Sequence, residues 1–168
     1  MASLRDLASG LGFAAARTIL NSGNLVFAAP VTTTAALESR LEAEAAARLG
    51  VETDVVVRTA AEWQAVIDSN PFPDAAKDDP GHLVVMALKR SAKPQDVRAL
   101  QAAITGREVV KGHGAQLYIV YPDGIGRSKL TAAVIEKAIG TRGTARNWNT
   151  VVKLAAACAE TGPRPSVS

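Results

Sequence analysis

The feature that most constrains this chain is a pattern of strands and helices that occurs twice. In residues 82–159 the apolar periodicity predicts strand, helix, hairpin, helix, strand, helix, and residues 1–69 repeat that order without the opening strand. In both halves an arginine precedes the last helix and a tryptophan lies early in it: Arg58 with Trp63, and Arg146 with Trp148. Strand-helix-strand-strand-helix-strand is the order of a ferredoxin-like unit. The sequence therefore predicts an α+β protein of two tandem ferredoxin-like units, the first lacking its initial strand.

Proline content sets the predicted boundaries of these units. Residues 70–81 contain three prolines with aspartates between them, so this segment is predicted to be a linker. The first, truncated unit then occupies residues 1–69 and the second occupies 82–159. Two further prolines lie in residues 160–168, which are predicted to form a flexible tail.

The missing strand matters because the first strand of a ferredoxin-like unit sits centrally, between the third and the fourth. The β-branched run at 53–57 is predicted to be a strand. Without the central strand, it must pair directly with the strand around Val26, or a segment from elsewhere must fill the gap. An unpaired sheet edge of this kind predicts a homodimer, or pairing with another protein.

Composition excludes several classes of protein. The chain has one cysteine, Cys158, and two histidines, His82 and His113, so neither an internal disulfide nor a structural metal site is expected, and we predict no cofactor. No apolar stretch is long enough to cross a membrane, and Arg5 and Asp6 lie where a signal peptide would be apolar. These observations predict a cytoplasmic protein without a membrane partner.

Positive charge is concentrated in the second half of the chain. The net charge of the whole chain is only +3. Residues 111–153, however, carry seven basic and two acidic side chains, whereas residues 1–110 carry 11 basic and 13 acidic ones. An anionic ligand would therefore be expected to bind to the second half.

One candidate site is the segment Gly126, Arg127, Ser128 and Lys129, which places two cations and a hydroxyl before a predicted helix. Helix N-terminal N–H groups and basic side chains both bind phosphate or carboxylate. The order of residues is not that of a Walker A loop. The alternative interpretation is a turn in which Ser128 is the N-cap of the helix and the cations are solvated.

A second candidate group is Arg146, Asn147 and Trp148, where Trp148 would stack on a base or ring beside Arg146. The alternative is structural: Asn147 caps the last helix and Trp148 packs as Trp63 does. His82 is interpreted as a strand-edge residue.

Three functional hypotheses follow. The first is a binding module for a phosphate-containing small molecule or a nucleic-acid backbone, centred on Arg127, Ser128 and Lys129, with Arg146 as a further candidate contact. The second is an enzyme of unknown reaction that uses the same cations, although the sequence identifies no base or nucleophile. The third is a noncatalytic protein-interaction module. Sequence-specific RNA binding is not expected, because Tyr118 and Tyr121 fall on opposite faces of their strand.

Four strings of this sequence resemble the bacterial domain-of-unknown-function 1697 family. They are Ser-Gly-Asn-Leu-Val-Phe at 22–27, Asn-Pro-Phe-Pro at 70–73, Tyr-Pro-Asp-Gly-Ile-Gly-Arg-Ser-Lys-Leu at 121–130 and Ala-Arg-Asn-Trp-Asn-Thr at 145–150. The resemblance covers residues 1 to about 157. It implies a pair of ferredoxin-like units and no settled activity.

The chain departs from this family at its start. Members usually begin with an apolar strand and a Leu-Arg-Gly-Ile-Asn-like turn, and here Met1 falls after both. The departure removes a polar, glycine-containing segment that could belong to the functional site of complete members. Two alternatives follow: the start was assigned too late, or the protein is a natural truncation. An upstream reading frame that encodes this strand and turn would identify Met1 as a misassigned start.

Overall fold

The structure, a computed structural model, describes residues 2–20, 23–29 and 32–161. These residues form a mixed α+β protein with seven α-helices and two antiparallel sheets, so the predicted α+β class is confirmed. The chain divides into two compact units. The first contains the described residues up to Gln64 and those from Val152 onward, and the second is Ala65–Val151.

The first unit is built on a single β-hairpin. Its elements are α1 (Ala2–Gly10), β1 (Ala14–Ile19), β2 (Asn24–Ala28), α2 (Thr34–Leu49), the start of α3 (Ala60–Asp68) and the end of the last helix, from Val152 to Thr161. Strands β1 and β2 pair antiparallel, with Ile19 opposite Asn24 at the turn. Residues 21 and 22 of the predicted turn lie outside the described residues.

The core of the first unit forms on one face of α2. Leu37, Leu41 and Ala45 recur every four residues, which brings them to one side of the helix, where they pack with residues of α1 and with Phe13. The helix ends where Gly50 adopts a positive φ of 63°, a backbone conformation that side chains with a Cβ disfavour.

The predicted strand at 53–57 is wrong, because these residues pair with no strand. Their amides are satisfied by α2 instead. The Val55 N–H donates to Glu42 Oε1 at 2.8 Å and the Val57 N–H donates to Glu38 Oε1 at 2.8 Å. A partly buried N–H needs an acceptor, and with no strand beside this segment two carboxylates supply it. The first sheet therefore has two strands only.

The second unit contains a four-stranded sheet. Its elements, after the end of α3, are listed in chain order: α4 (Pro73–Asp78), β3 (Leu83–Leu88), α5 (Pro94–Ala103), β4 (Val109–His113), β5 (Gln116–Val120), α6 (Ala132–Ile139), β6 (Gly143–Asn147) and the start of α7 (Trp148–Thr161). The strands lie in the order β4-β5-β3-β6, all antiparallel. The unit's first strand, β3, thus lies between its third and fourth, as in a ferredoxin-like unit.

Strand β3 is buried on both faces. Val84 and Met86 face a core that includes residues of α5 and α6, and Leu83 and Val85 on the opposite face are also buried. On that opposite face the hydroxyl of Tyr118 donates to the Val66 carbonyl at 2.6 Å. A strand with two buried faces needs a continuous apolar run rather than an alternating one, which is what β3 has.

Two of the sequence-based boundaries remain predictions. The segment 70–81, predicted to be a linker, contains α4 and the start of a 3-10 turn, Pro80–His82. In the predicted tail, α7 continues to Thr161, and residues 162–168 lie outside the described residues. None of the helices in the described ranges has the length and apolar character that a membrane span requires.

Candidate functional site

Both groups of predicted site residues lie at one end of the second sheet. The loop 121–130 leaves β5 just after Val120, which is opposite Leu83 at the start of β3. Asn147, at the end of β6, is opposite Val84 and so reaches the same end of the sheet. Because β3 separates β5 from β6, the two groups approach from positions roughly 10 Å apart in the plane of the sheet. Tertiary structure thus gathers them at one end but does not bring them into one contiguous site.

The loop 121–130 is anchored by Tyr121. Its backbone N–H donates to the His82 carbonyl at 2.8 Å, and its hydroxyl donates to the Leu130 carbonyl at 3.0 Å. Both Tyr121 and Leu130 belong to the hydrophobic core. Burial, assisted by the negative charge of Glu108, raises the pKa of Tyr121 to about 12. The phenol therefore stays protonated and acts as a donor that ties the loop's two ends together.

Ser128 makes two hydrogen bonds inside the same region. Its hydroxyl donates to Glu108 Oε1 at 2.6 Å and accepts from the Leu130 N–H at 3.0 Å. Two hydrogen bonds hold the pKa of the Glu108 carboxyl below its usual value. The bond from Ser128 has the larger effect, and a bond from the backbone of Glu108 itself has the smaller one. The Ser128 hydroxyl thus donates its hydrogen bond to a carboxylate of the protein and is not available as a donor to a ligand.

The interpretation of Ser128 as the N-cap of a helix is wrong. Helix α6 starts later, at Ala132, and its N-cap is Thr131, whose side chain accepts from the Val134 N–H at 3.3 Å. Ser128 instead follows a 3-10 turn, Ile125–Arg127, and lies outside the helix. The two cations of the segment consequently lie in the loop and not at the first turn of α6.

Arg127 and Lys129 lie on either side of Ser128, and both are exposed. Neither takes part in an ion pair among the described residues, whereas nearby Arg107 pairs with Asp123 at 2.7 Å. Gly126 is exposed, and a Cβ placed on it would meet no atom within 4 Å. The loop thus presents two solvated cations and an uncovered stretch of backbone on an anchored frame.

The second group, at the end of β6, is chiefly structural. Asn147 Oδ1 accepts from the Thr150 N–H at 3.1 Å, so the prediction that Asn147 caps the last helix is confirmed. Trp148 is 8% exposed, which leaves little of its ring for stacking on a ligand. Arg146 donates through Nη1 to Thr144 Oγ1 at 2.9 Å and to the Ala145 carbonyl at 2.8 Å. Burial lowers the pKa of Arg146 from its usual value.

Sequence reasoning missed two side chains at this end of the sheet, those of Glu108 and Asp79, and gave His82 no partner. Glu108 precedes the predicted hairpin of β4 and β5, but no local pattern signals its contact with Ser128 in the loop that follows the hairpin. His82 Nδ1 lies 2.8 Å from Asp79 Oδ2, and a Cβ placed on Gly124 would lie 3.7 Å from His82 Nε2. The spacing of three residues across the turn Asp-Pro-Gly-His is the one sequence signal for the histidine-aspartate pair.

The described residues also limit the chemistry of this unit. Tyr118 and Tyr121 are 0% and 2% exposed, so neither ring can stack on a nucleic-acid base. Within residues 2–20, 23–29 and 32–161, no three histidine, cysteine or carboxylate side chains are grouped to hold a metal ion.

Comparison with known proteins places this geometry in context. A family model described as "Protein of unknown function (DUF1697)" matches residues 1–118, which excludes the loop 121–130 and the end of β6. The fold is similar to that of the conserved bacterial protein SP0830 from Streptococcus pneumoniae, with a TM-score of 0.68 and 19% identity over 95% of this chain and 88% of that chain. At that identity the similarity shows the fold alone. No curated protein matches the chain.

Proposed function

This chain belongs to the DUF1697 family of proteins of unknown function, and we propose that it is a binding module for an anionic, phosphate-containing ligand. The observation that carries the proposal is the pair Arg127 and Lys129, two exposed cations without an ion-pair partner among the described residues, on a loop whose backbone is anchored through Tyr121 and Ser128. The ligand would be a small molecule or a nucleic-acid backbone.

Anchoring supports this proposal because a fixed loop loses little conformational entropy when a ligand binds. Arg127 offers the planar donors that match phosphate oxygens, and Lys129 adds a point charge. Gly126 leaves room for an anion to approach the main chain. The Glu108 carboxylate beside Ser128 repels an anion, so the affinity should be modest. Because the attraction is between exposed charges, the affinity should also weaken as the salt concentration rises.

The proposed site contains fewer ligand-contacting residues than the sequence predicts. Its ligand contacts are Gly126, Arg127 and Lys129, while Ser128 orders the loop. Arg146 is half-buried and bonded to its own strand, and Asn147 and Trp148 serve α7.

Differential scanning fluorimetry tests the proposal with three probes: inorganic phosphate, a nucleoside triphosphate and a single-stranded oligonucleotide. We expect at least one probe to raise the midpoint of thermal unfolding in a salt-sensitive way. The variant Arg127→Ala/Lys129→Ala should lose this shift. The control Lys137→Ala/Lys153→Ala removes the same charge from exposed helical positions and should keep it. No shift with any probe, or equal loss in both variants, would rule the site out.

A catalytic function at the same end of the sheet is favoured by one observation, the hydrogen-bonded pair of His82 and Asp79 beside the loop. In that case His82 would act as the proton acceptor for a ligand held by Arg127 and Lys129. A broad screen of hydrolase and transferase substrates tests this alternative, and His82→Ala should abolish any turnover that the screen finds.

Pairing of the first unit with a second copy is favoured by its two-stranded sheet. Sedimentation velocity tests this homodimer, and a strictly monomeric protein over a wide concentration range would exclude it. The wider proposal is that the two units are copies of one pattern in a cytoplasmic protein. Its support is the shared order of helix, hairpin and helix, and the single cysteine of the chain.

A further inference from the structure

Strand β4 forms an open edge of the second sheet. It pairs with β5 on one side and, among the described residues, with no strand on the other. The Val110 N–H points to that outer side, because it donates to Gln101 Oε1 of α5 at 2.7 Å. The Gln101 Nε2 donates in turn to the Glu108 carbonyl, at a longer 3.4 Å. The carboxamide of Gln101 thus makes the two hydrogen bonds with the edge that the main chain of an added strand would make at this position.

The next position along this edge is open. In an antiparallel ladder, successive residues alternate between facing the partner strand and facing away from it. Since Val110 faces outward, the N–H and C=O of Gly112 also face outward, and Gly112 is exposed. Further along, the Gly114 carbonyl is already taken by the Ala92 N–H at 3.1 Å. An open stretch of edge therefore remains around Gly112, between Gln101 and Ala92.

A groove of about 550 Å³ lies over this open stretch, between α5 and β4. Val97 of α5 lines it, and a Cβ placed on Gly112 would come within 3.0 Å of Val97 Cγ2. The missing side chain at Gly112 allows the helix to lie close while the main chain of the strand stays uncovered. The groove thus combines apolar walls with unpaired strand groups, which is what an added strand needs.

The charged residues around the groove indicate the charge of the partner that it would bind. Arg98 and Lys111 are the charged side chains among the residues that line it, and both are exposed. No aspartate or glutamate lines the groove within the described part of the chain. Lys111 lies between Val110 and Gly112 on the strand, so its side chain lies on the opposite face of the sheet from Val97, where its ammonium group is 5.2 Å from the centre of the Phe72 ring. A complementary partner carries negative charge.

We propose that the open edge of β4 binds an extended acidic peptide segment of a partner protein, which adds as a strand at Gly112 with its carboxylates near Arg98 on one face of the sheet or near Lys111 on the other. The alternation of donor and acceptor along a strand edge matches a peptide main chain, whereas a nucleotide would use the cations alone. Only a short stretch of edge is open, so binding should be weak and reversible. This site is separate from the loop 121–130.

The probe is a fluorescently labelled peptide of alternating valine and glutamate, six residues long, measured by fluorescence anisotropy. A valine-lysine peptide tests charge, and a valine-glutamate peptide methylated at alternate backbone nitrogens tests strand pairing. We expect saturable binding of the unmodified acidic peptide alone, together with amide chemical-shift changes at Gly112. Equal binding of either modified peptide, or no saturation up to ~1 mM peptide, would overturn the proposal.

Variants identify the surface. Arg98→Glu/Lys111→Glu reverses two exposed charges, one on each side of the open edge, and should weaken peptide binding at least tenfold. Lys137→Glu/Lys153→Glu makes the same change in net charge elsewhere and should leave it unaltered. Arg127→Ala/Lys129→Ala should also leave peptide binding unaltered, which separates this proposal from the phosphate site. Displacement of the peptide by a nucleoside triphosphate would contradict it.

Discussion

The Ser128 hydroxyl donates a 2.6 Å hydrogen bond to Glu108 Oε1 across 20 residues of sequence. This bond joins the loop 121–130 to the start of β4, and it lowers the pKa of the Glu108 carboxyl. It also uses the one hydroxyl of the basic segment, so Arg127 and Lys129 remain as its groups for an external anion. The hydrogen bond between Ser128 and Glu108 thereby determines which atoms of the predicted site can bind a ligand.

Replacing Ser128 by alanine should lower the free energy of unfolding at neutral pH by about 1 kcal/mol at most, since solvent screens this partly exposed pair. The folded-state pKa of Glu108 is lowered, so its contribution exists above the unfolded-state pKa and is lost as the pH falls through the folded-state pKa. The difference between variant and parent should therefore shrink in acid. Urea unfolding across the acidic range measures it, with Ser128→Thr as a control that keeps a hydroxyl.

Glu108→Gln should strengthen phosphate binding by the loop. Glutamine keeps an acceptor for Ser128 but removes the negative charge that opposes an anion, so we expect an increase in affinity of roughly threefold to tenfold at low salt. Titration calorimetry with inorganic phosphate measures the change. Asp74→Asn on α4 makes the same change in charge at an exposed position outside the loop, and an equal gain there would assign the effect to net charge.

Glu38→Ala should destabilise the first unit. It removes the acceptor of the Val57 N–H, and an amide left without a partner in this partly buried place costs about 1–3 kcal/mol. Glu38→Gln keeps an oxygen acceptor and should cost less. Glu44→Ala, on the same helix, breaks only a surface ion pair with Arg48 and serves as the control. Chemical denaturation followed by circular dichroism ranks the three, and equal losses for Glu38→Ala and Glu44→Ala would contradict the assigned role.

Tyr121 should titrate at unusually high pH. Its pKa is raised from 10.0 to about 12 in the folded protein, so the neutral phenol stabilises the fold fully below about pH 10, and that stabilisation is lost as the pH rises towards 12. Ultraviolet absorbance should show its phenolate forming last or only on unfolding. Tyr121→Phe should remove that step and cost about 1 kcal/mol through the lost bond to Leu130. Ionisation of Tyr121 near pH 10 without unfolding would be inconsistent with this account.

Local sequence signals predicted much of the secondary structure. The four-residue spacing of Leu37, Leu41 and Ala45 was sufficient for the buried face of α2, and Asn147 was identified as the cap of α7. Thr59 and Glu62 have the sequence spacing of a capping box, and the structure has one: the Thr59 N–H donates to Glu62 Oε2 at 2.8 Å and the Glu62 N–H donates to Thr59 Oγ1 at 3.1 Å. Such signals succeed because donor and acceptor lie within one helical turn of each other.

Interactions between distant residues decided the rest. The run at 53–57 has strand propensity, but a strand requires a neighbouring strand, and the carboxylates of Glu38 and Glu42 take its amides instead. The basic segment was visible in the sequence, whereas the bond that withdraws Ser128 from it joins residues 20 positions apart and depends on how the loop 121–130 folds back towards Glu108. The helical periodicity of α2 and the caps at Thr59 and Asn147 were thus determined by the sequence alone. Which strand groups and which cations remained available was decided by tertiary structure, because each depends on a partner that is remote along the chain.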